Sequence, residues 1–446
     1  MSARPLDLRA IACEIAVSLP FRIVLAVGIL LVHVAMVARV GKTRFDYPFD
    51  ASPDHEPLFY NPVVDQKPDA WDRLVVARWD AQHYEGIALR GLSACKPKEE
   101  LKPGEFPDDD KACEINFFPT YPWIGAAVGK LFHEPVDIAL FGVSLVASFA
   151  FLLMWTSRAM VDRLGVANVY LSLLLFNVFD TAFSLVLILT EPCMMALSLG
   201  AFLCLRERRL WLGALLAGAA TGLRVSGVAT GLAFCVGVFV MTLRDHPRPR
   251  WLWLGRATLM LVSGWGVMAL MAYYWHRFGD PLLYAHAHER TFHHHLNLLK
   301  VLIPDGRLLM ESIWAEPHEG VILCGALLWF ALGHRHGLAR FPVHEQAAWY
   351  ALFFFSLAIS LPGSVELAYA GNSRYMLTVF PIFFAMAGVL RRRPVALVLW
   401  VFVSAMHYYH GGICFYVGQN HPDRLHRCSF ARYFRSEALH DGREEW

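Results

Sequence analysis

Residues 21–40 are a run of about 20 mostly apolar residues, the length that carries an α-helix across ~30 Å of hydrocarbon at ~1.5 Å per residue. Similar runs recur along the chain, so it must fold around a bilayer. Inside hydrocarbon only helices or closed barrels satisfy the backbone. Of 446 residues, 56% are hydrophobic and 17% charged, which predicts an all-α polytopic membrane protein. The 40 basic and 38 acidic residues nearly cancel, a balance that sets a nucleic-acid partner aside. Arg4, Arg9 and Arg22 lead into the first run, which lacks a small-residue cleavage site. It is therefore expected to stay as an anchor behind a cytoplasmic N-terminus.

Further spans are read at 136–155, 166–179, 192–205, 210–223, 225–243, 258–275, 321–332, 347–361, 376–390 and 394–409, about 11 crossings in all. Residues 117–132 are also apolar. The basic segments 158–163, 206–209, 244–256, 334–340 and 391–393 share the cytoplasmic side only if 117–132 lies at the interface or re-enters. Several runs are shorter than ~17 residues, which implies short or broken helices beside a protein-lined cavity. The chain then reads as one domain, 1–446. Its first external loop, 41–132, carries a juxtamembrane helix and an interfacial segment, and a His-rich external loop covers 277–320. The chemistry is expected to face outward.

In the stretch 77–88, helical spacing puts Asp80, His83 and Tyr84 at i, i+3 and i+4 on one face, beside Arg78 and Trp79. A carboxylate base, an imidazole and a phenol would share a direction; the plain alternative is a juxtamembrane helix with a solvated Asp. Glu191 opens a helix before Pro192, where it either caps the positive helix end or orients a substrate hydroxyl. Arg224 interrupts an apolar run. A charge at the bilayer centre costs ~2.5–3.5 kcal/mol even on the mild insertion scale, so it belongs at a boundary or in a wet cavity. There it could hold a phosphate or simply anchor two helices. Asp280 is the expected N-cap of a helix bearing His286. Downstream, His293, His294 and His295 lack the spacing of a metal motif. Arg374 and Tyr375 stand before the span at 376, where they suit either a phosphate or the aromatic belt. No cofactor is called for, although a divalent metal, for which Asp108, Asp109 and Asp110 are weak candidates, stays open.

Six segments together resemble the glycosylphosphatidylinositol mannosyltransferase II family (PIG-V type) and its bacterial relatives, within the GT-C superfamily of membrane glycosyltransferases. They are Arg78-Trp79-Asp80, Asn116-Phe117-Phe118-Pro119-Thr120-Tyr121-Pro122, Thr190-Glu191-Pro192, Arg224-Val225-Ser226-Gly227, Phe278-Gly279-Asp280-Pro281-Leu282, and Arg374-Tyr375 with Phe380-Pro381. They stand in family order over most of the chain. Leu189 replaces the aromatic residue many members have before the Thr-Glu step, and residues 289–295 match no family feature.

The resemblance implies a GT-C-like bundle and inverting transfer of a sugar, usually mannose, from a polyprenyl-phosphate donor to a lipid- or glycan-linked acceptor on the external face. It maps the catalytic base onto Asp80. Substrate-binding expectations fall on Arg78, His83, Tyr84, Glu191, Arg224, His286, Arg374 and Tyr375. An Arg-rich, Ala-rich composition suits a bacterial inner membrane with the site facing the periplasm; an endoplasmic reticulum membrane with a lumenal site is the alternative. The sequence names no accessory subunit. A transporter or flippase of a polyprenyl-linked sugar would share the apolar runs and the headgroup-level cations, but would be expected to show an internal repeat and charged relays within spans.

Of nine cysteines, four fall in expected external segments, and Cys95 with Cys113 is the favoured disulfide, bracing the acidic hairpin after the Asp80 helix. Mass spectrometry of non-reduced protein should find these two joined. Two free thiols would refute the pairing.

Overall fold

The computed structural model describes residues 14–45, 80–92, 114–179, 181–245, 250–292, 325, 328–329, 331–335, 337–360 and 376–420. Among them there is no strand. The helices are α1 (Leu19–Phe45), α2 (Asp80–Arg90), α3 (Thr120–Phe132), α4 (Val136–Trp155), α5 (Arg158–Leu164), α6 (Val166–Asn177), α7 (Glu191–Arg206), α8 (Leu210–Thr221), α9 (Gly227–Arg244), α10 (Arg250–Val262), α11 (Trp265–Phe278), α12 (Leu283–Phe292), α13 (Val343–Ser360), α14 (Pro381–Leu390) and α15 (Pro394–Asn420). Short 3₁₀ helices precede α3 and α7 at Glu114–Asn116 and Ala182–Val186.

The chain is an all-helical membrane protein. Among the described residues, three helices are long and apolar enough to cross a bilayer alone, and five spans result if each bent pair counts as one. The eleven crossings expected from hydropathy are therefore not all present as full-length helices. The expected span 258–275 is bent, and the expected span 166–179 is preceded by a sharp corner from the basic segment 158–163. Helices α5 and α6 meet at 107°, and α10 and α11 at 57°, with Gly165 at φ 81° forming the sharper corner. Others, such as α8 and α14, are only 12 and 10 residues long. Such short helices survive because protein, not lipid, surrounds much of them: nearly all of α14 is buried.

One part of the topological reading reappears as geometry. Arg206 donates to the Ala159 carbonyl (2.8 Å), Arg208 and Arg256 both approach Asp245 (3.3 and 3.9 Å), and Arg340 donates to the Leu164 carbonyl (2.8 Å). Arg22 joins them through Leu153 and Thr156. The basic segments 158–163, 206–209, 244–256 and 334–340 thus gather at one end of the bundle. Arg206 and Glu345 form a buried ion pair there at 2.8 Å.

Helix α3 is 13 residues long. It folds back antiparallel along the first half of α4, so close that a Cβ on Gly125 would strike Leu140 and one on Gly129 would come within 3.0 Å of the Glu134 carbonyl. The core between α4, α6, α13 and α14 is aromatic: Trp155 packs against Phe384 at 4.8 Å and Phe176 at 5.1 Å, and its indole donates to Ser172. Buried His33 ties α1 to α6 and α15. Asn177 spends its amide on the Leu173 carbonyl, so its Oδ1 accepts from His33 Nε2 (2.8 Å), leaving Nδ1 to accept from the Tyr408 hydroxyl.

Small residues set the spacing of α8 and α11. A side chain on Gly218 would overlap Trp265, and one on Gly266 would meet the Gly222 backbone nitrogen at 2.7 Å. Gly218→Val and Gly266→Val should each lower the melting temperature in detergent, consistent with ~1–3 kcal/mol of overpacking. Gly255, whose Cβ would meet nothing within 4 Å, is the control position for the same measurement.

Candidate functional site

Residues 181–190 are buried along their whole length and contain no α-helix, only the 3₁₀ helix Ala182–Val186 followed by bends. Two serines of α4 hold this segment: Ser148 donates to the Leu185 carbonyl at 2.6 Å and Ser144 to the Leu189 carbonyl at 3.2 Å. The break lets α7 restart at Glu191, inside the protein. Thr190 is the N-cap residue but makes no side-chain cap bond; its hydroxyl donates to Glu191 Oε2 at 3.5 Å.

Glu191 is 1% exposed, and its Oε1 is ion-paired with Arg224 Nη1. Arg224 lies in the turn between α8 and α9, with its side chain 15% exposed. The sequence left each residue with two roles: cap or substrate orientation for Glu191, anchor or phosphate binding for Arg224. Their pairing across 33 positions shows that neither serves only locally.

Helix α2 begins at Asp80, and the one-face reading holds. His83 stacks flat on Phe117 (centroids 4.2 Å, 15° between planes). Tyr84 is buried, with edge contacts to Phe117 at 5.8 Å and Tyr121 at 5.3 Å. The Tyr84 phenol lies near Thr190 and in the fields of Asp80, Arg224 and Glu191. Burial first, and then the Asp80 charge, push the phenol well above its ordinary range, so it stays protonated. Asp80 itself is half-buried.

The aromatic segment that follows is the platform. Phe117 carries His83 and Tyr84, while the Tyr121 hydroxyl donates to the Leu140 carbonyl (2.9 Å) and meets Ser144 at 2.7 Å. Arg90 closes the far end of α2 on Glu114 at 2.7 Å. Gly86 permits this, since a Cβ there would lie 2.8 Å from Glu114 Oε1. Phe118 turns the other way, onto Tyr284 of α12 (4.6 Å) and into a cluster with Leu270 and Tyr274 that Val225 also joins.

Asp80, Tyr84, Glu191 and Arg224 are thus brought together. His83 belongs to the same helix but engages Phe117. His286 sits in a different pair: its Nδ1 lies 2.7 Å from Asp280 Oδ2, while Oδ1 accepts the Leu282 amide at 2.9 Å, as expected of a helix-starting Asp. Arg78, Arg374, Tyr375, Cys95, Cys113, Asp108, Asp109, Asp110 and His293, His294 and His295 lie outside the described residues. Among the described residues, no three His, Cys, Asp or Glu side chains gather into a metal-binding group. Thr190, Ser144 and Tyr121 complete the site, and no spacing rule singles them out. The one available signal was that Thr190 and Tyr121 fall inside the family-like segments.

The level of the site follows from helix lengths. Ser144 stands eight residues below the start of α4, about 12 Å down. Glu191 stands 15 residues from Arg206 along α7, about 22 Å, so the Glu191–Arg224 pair is recessed below the bundle's end opposite the basic one.

Removing one partner of such a pair strands the other, at a cost of about 3–5 kcal/mol. Glu191→Gln and Arg224→Gln should each lower the melting temperature markedly, while the double variant Glu191→Gln/Arg224→Met should recover part of the loss. A double variant no better than the sum of the two singles would show the pair to be uncoupled.

Comparison of the chain with protein-family models, with curated proteins and with solved structures gives no significant match, so the reading of its function rests on the residues and geometry of this site.

Proposed function

We propose that the chain is an inverting membrane glycosyltransferase that moves a sugar, mannose on the strength of the family resemblance, from a polyprenyl-phosphate donor to an acceptor hydroxyl. The observation that carries this reading is the convergence of Asp80 and Tyr84 with Glu191 and Arg224, two pairs from separate parts of the chain. A carboxylate and a guanidinium in one recessed polar group are the parts such a transfer needs. Asp80 takes the acceptor proton as the hydroxyl oxygen attacks the anomeric carbon. The bond to the phosphate oxygen breaks, and its electron pair leaves with the polyprenyl phosphate. A cation beside that oxygen stabilises the charge as it grows, and no strong general acid is required.

Charge counting assigns the remaining roles. Among the described residues, Asp80 and Glu191 bring two carboxylates and Arg224 one guanidinium to the surroundings of Tyr84, and an incoming phosphate calls for further cations. Arg78 and Arg374 supply them in this reading, and Glu191 holds the Arg224 fork in orientation. The donor's lipid tail stays in the bilayer. The face is periplasmic if the membrane is a bacterial plasma membrane and lumenal if it is that of the endoplasmic reticulum, with the basic end of the bundle in the cytoplasm.

The test uses purified protein in nanodiscs, labelled polyprenyl-phosphate mannose, and acceptor-bearing membranes from cells lacking the protein. Asp80→Asn keeps size and polarity but cannot accept a proton, so turnover should fall ~10²–10⁴-fold with donor affinity and melting temperature retained. Arg374→Ala should weaken donor binding and slow transfer together. A stable Asp80→Asn protein with near-normal transfer removes Asp80 from the mechanism. Translocation of the labelled lipid across liposomes without any transfer would replace the enzyme reading with the carrier one.

A further inference from the structure

Helix α2 carries Asp80 and is only 11 residues long, too short to hold its form in isolation. Asp80 is therefore aimed by whatever docks the helix. At about 100° per residue, the docked side chains fall on both sides of the line on which Asp80 lies. Tyr84 stands about 40° to one side and packs against Phe117 and Tyr121 at 5.8 and 5.3 Å. His83 stands about 60° to the other and lies flat on Phe117 at 4.2 Å. Arg90, at the far end of the helix and about 80° round on the His83 side, reaches Glu114 at 2.7 Å. Glu114 is itself held in place. It opens a buried 3₁₀ turn, its carbonyl accepts the Phe117 amide at 3.1 Å, and its neighbour Ile115 packs beside Ala287 of α12.

Two glycines of this region differ in what they supply. Gly91, at φ 81°, ends α2 in the left-handed conformation, and its amide returns to the Ile87 carbonyl at 2.8 Å. Gly86 stands within the helix, in a conformation open to any residue, and a glycine there weakens a short helix relative to alanine. What Gly86 supplies is room. A Cβ would come to 2.5 Å from Arg90 Nη2 and 2.8 Å from Glu114 Oε1, the two atoms that form the ion pair. The Arg90 side chain is 55% exposed and that of Glu114 10%, and a pair so open to water contributes little net stability. A weakened helix and a weak ion pair do not add up to a stabilising device. They do place a carboxylate against the body of α2, where only glycine lets it approach.

We propose that Glu114 is a positioning residue for sugar transfer, gripping Arg90 across the gap at Gly86 to fix the roll of α2 and with it the direction of the Asp80 carboxylate. This rests on the glycosyltransferase reading of the same site. The aromatic contacts of His83 and Tyr84 hold the Asp80 end of the helix down, while the ion pair holds the opposite end from turning. A base on a rolled helix leaves the line along which the acceptor hydroxyl attacks, and rate is sensitive to such a shift.

The test uses the full-length protein in nanodiscs with labelled polyprenyl-phosphate mannose and the acceptor membranes already described. Gly86→Ala is the selective variant, because the two atoms it displaces are the ends of side chains and can move without disturbing the backbone. It should hold or raise the melting temperature while lowering kcat ~10–100-fold, with donor KM within about twofold. Arg90→Gln and Glu114→Gln weaken the same contact from its two ends and should lower kcat over the same range. The double variant Gly86→Ala/Glu114→Gln should be no slower than the worse single. An unchanged rate in Gly86→Ala, losses that multiply in the double variant, or losses that sit wholly in KM overturn the proposal. A second readout does not depend on the chemistry. Hydrogen exchange of the amides in Asp80–Arg90 should quicken in Arg90→Gln and in Glu114→Gln, and no further when the two are combined. If the wild-type protein transfers nothing, the functional reading fails while exchange still judges whether the pair holds α2. Unchanged exchange in both variants overturns the positioning role whatever the transfer assay gives.

Discussion

Residues 181–190 run through the bundle with few regular hydrogen bonds of their own, and an apolar environment tolerates such backbone only where protein supplies the missing partners. Ser144 and Ser148, one turn apart on α4, supply two of them. The candidate site depends on this break. A helix continuing unbroken from α6 would have carried the chain past Thr190 and Glu191 as ordinary helical positions. Because it stops, α7 starts within the protein, its first residue is a buried carboxylate, and that carboxylate reaches Arg224 in the next inter-helix turn.

The same helix carries a buried ion pair at each end, and the two differ in what surrounds them. Arg206 gives two bonds to Glu345 and one to the Ala159 carbonyl, and its guanidinium lies over Phe341 at 5.1 Å. That set consists of one carboxylate, backbone and packing, as a structural pair requires. A buried pair is weak evidence of net stability, since desolvating both ions offsets most of their attraction. The Glu191–Arg224 pair has other neighbours. Around it stand Tyr84, Thr190 and, through Tyr84, the charge of Asp80, drawn from separate stretches of sequence. Structural pairs need no such convergence; groups arranged around a reacting bond do.

How much of this could be read in advance depended on whether the signal was local. The span 136–155 coincides with α4 to the residue, because twenty apolar residues bounded by Pro135 and Thr156 leave little freedom. The Asp80–His83–Tyr84 face follows from helical period alone, and the gathering of basic segments follows from their charge. The interruption between the spans 166–179 and 192–205 was legible, but the burial of 181–190 was not, because it depends on what α4 offers those residues. The bend between α10 and α11 was hidden because Gly264 and Gly266 sit in an uninterrupted apolar run. The partner of Glu191 was also invisible, since nothing in the spacing of 191 and 224 distinguishes an ion pair from a cap and an anchor. Thr190 looked like a helix cap by every sequence rule, and its hydroxyl is used elsewhere.

The depth of the site bears on the form of its substrate. If α4 spans the apolar layer from its first residue, the Ser144 level lies about 12 Å inside it. A water-soluble sugar nucleotide would have to bring its phosphates down from bulk water, giving up hydration along the way. A polyprenyl phosphate starts with its chain already in hydrocarbon and its phosphate at headgroup level. Only the phosphate and sugar need then move inward, over a distance comparable to the length of α2. The recession that makes the buried ion pair costly is thus compatible with the lipid-linked donor proposed, which ties the break in the backbone to that reading.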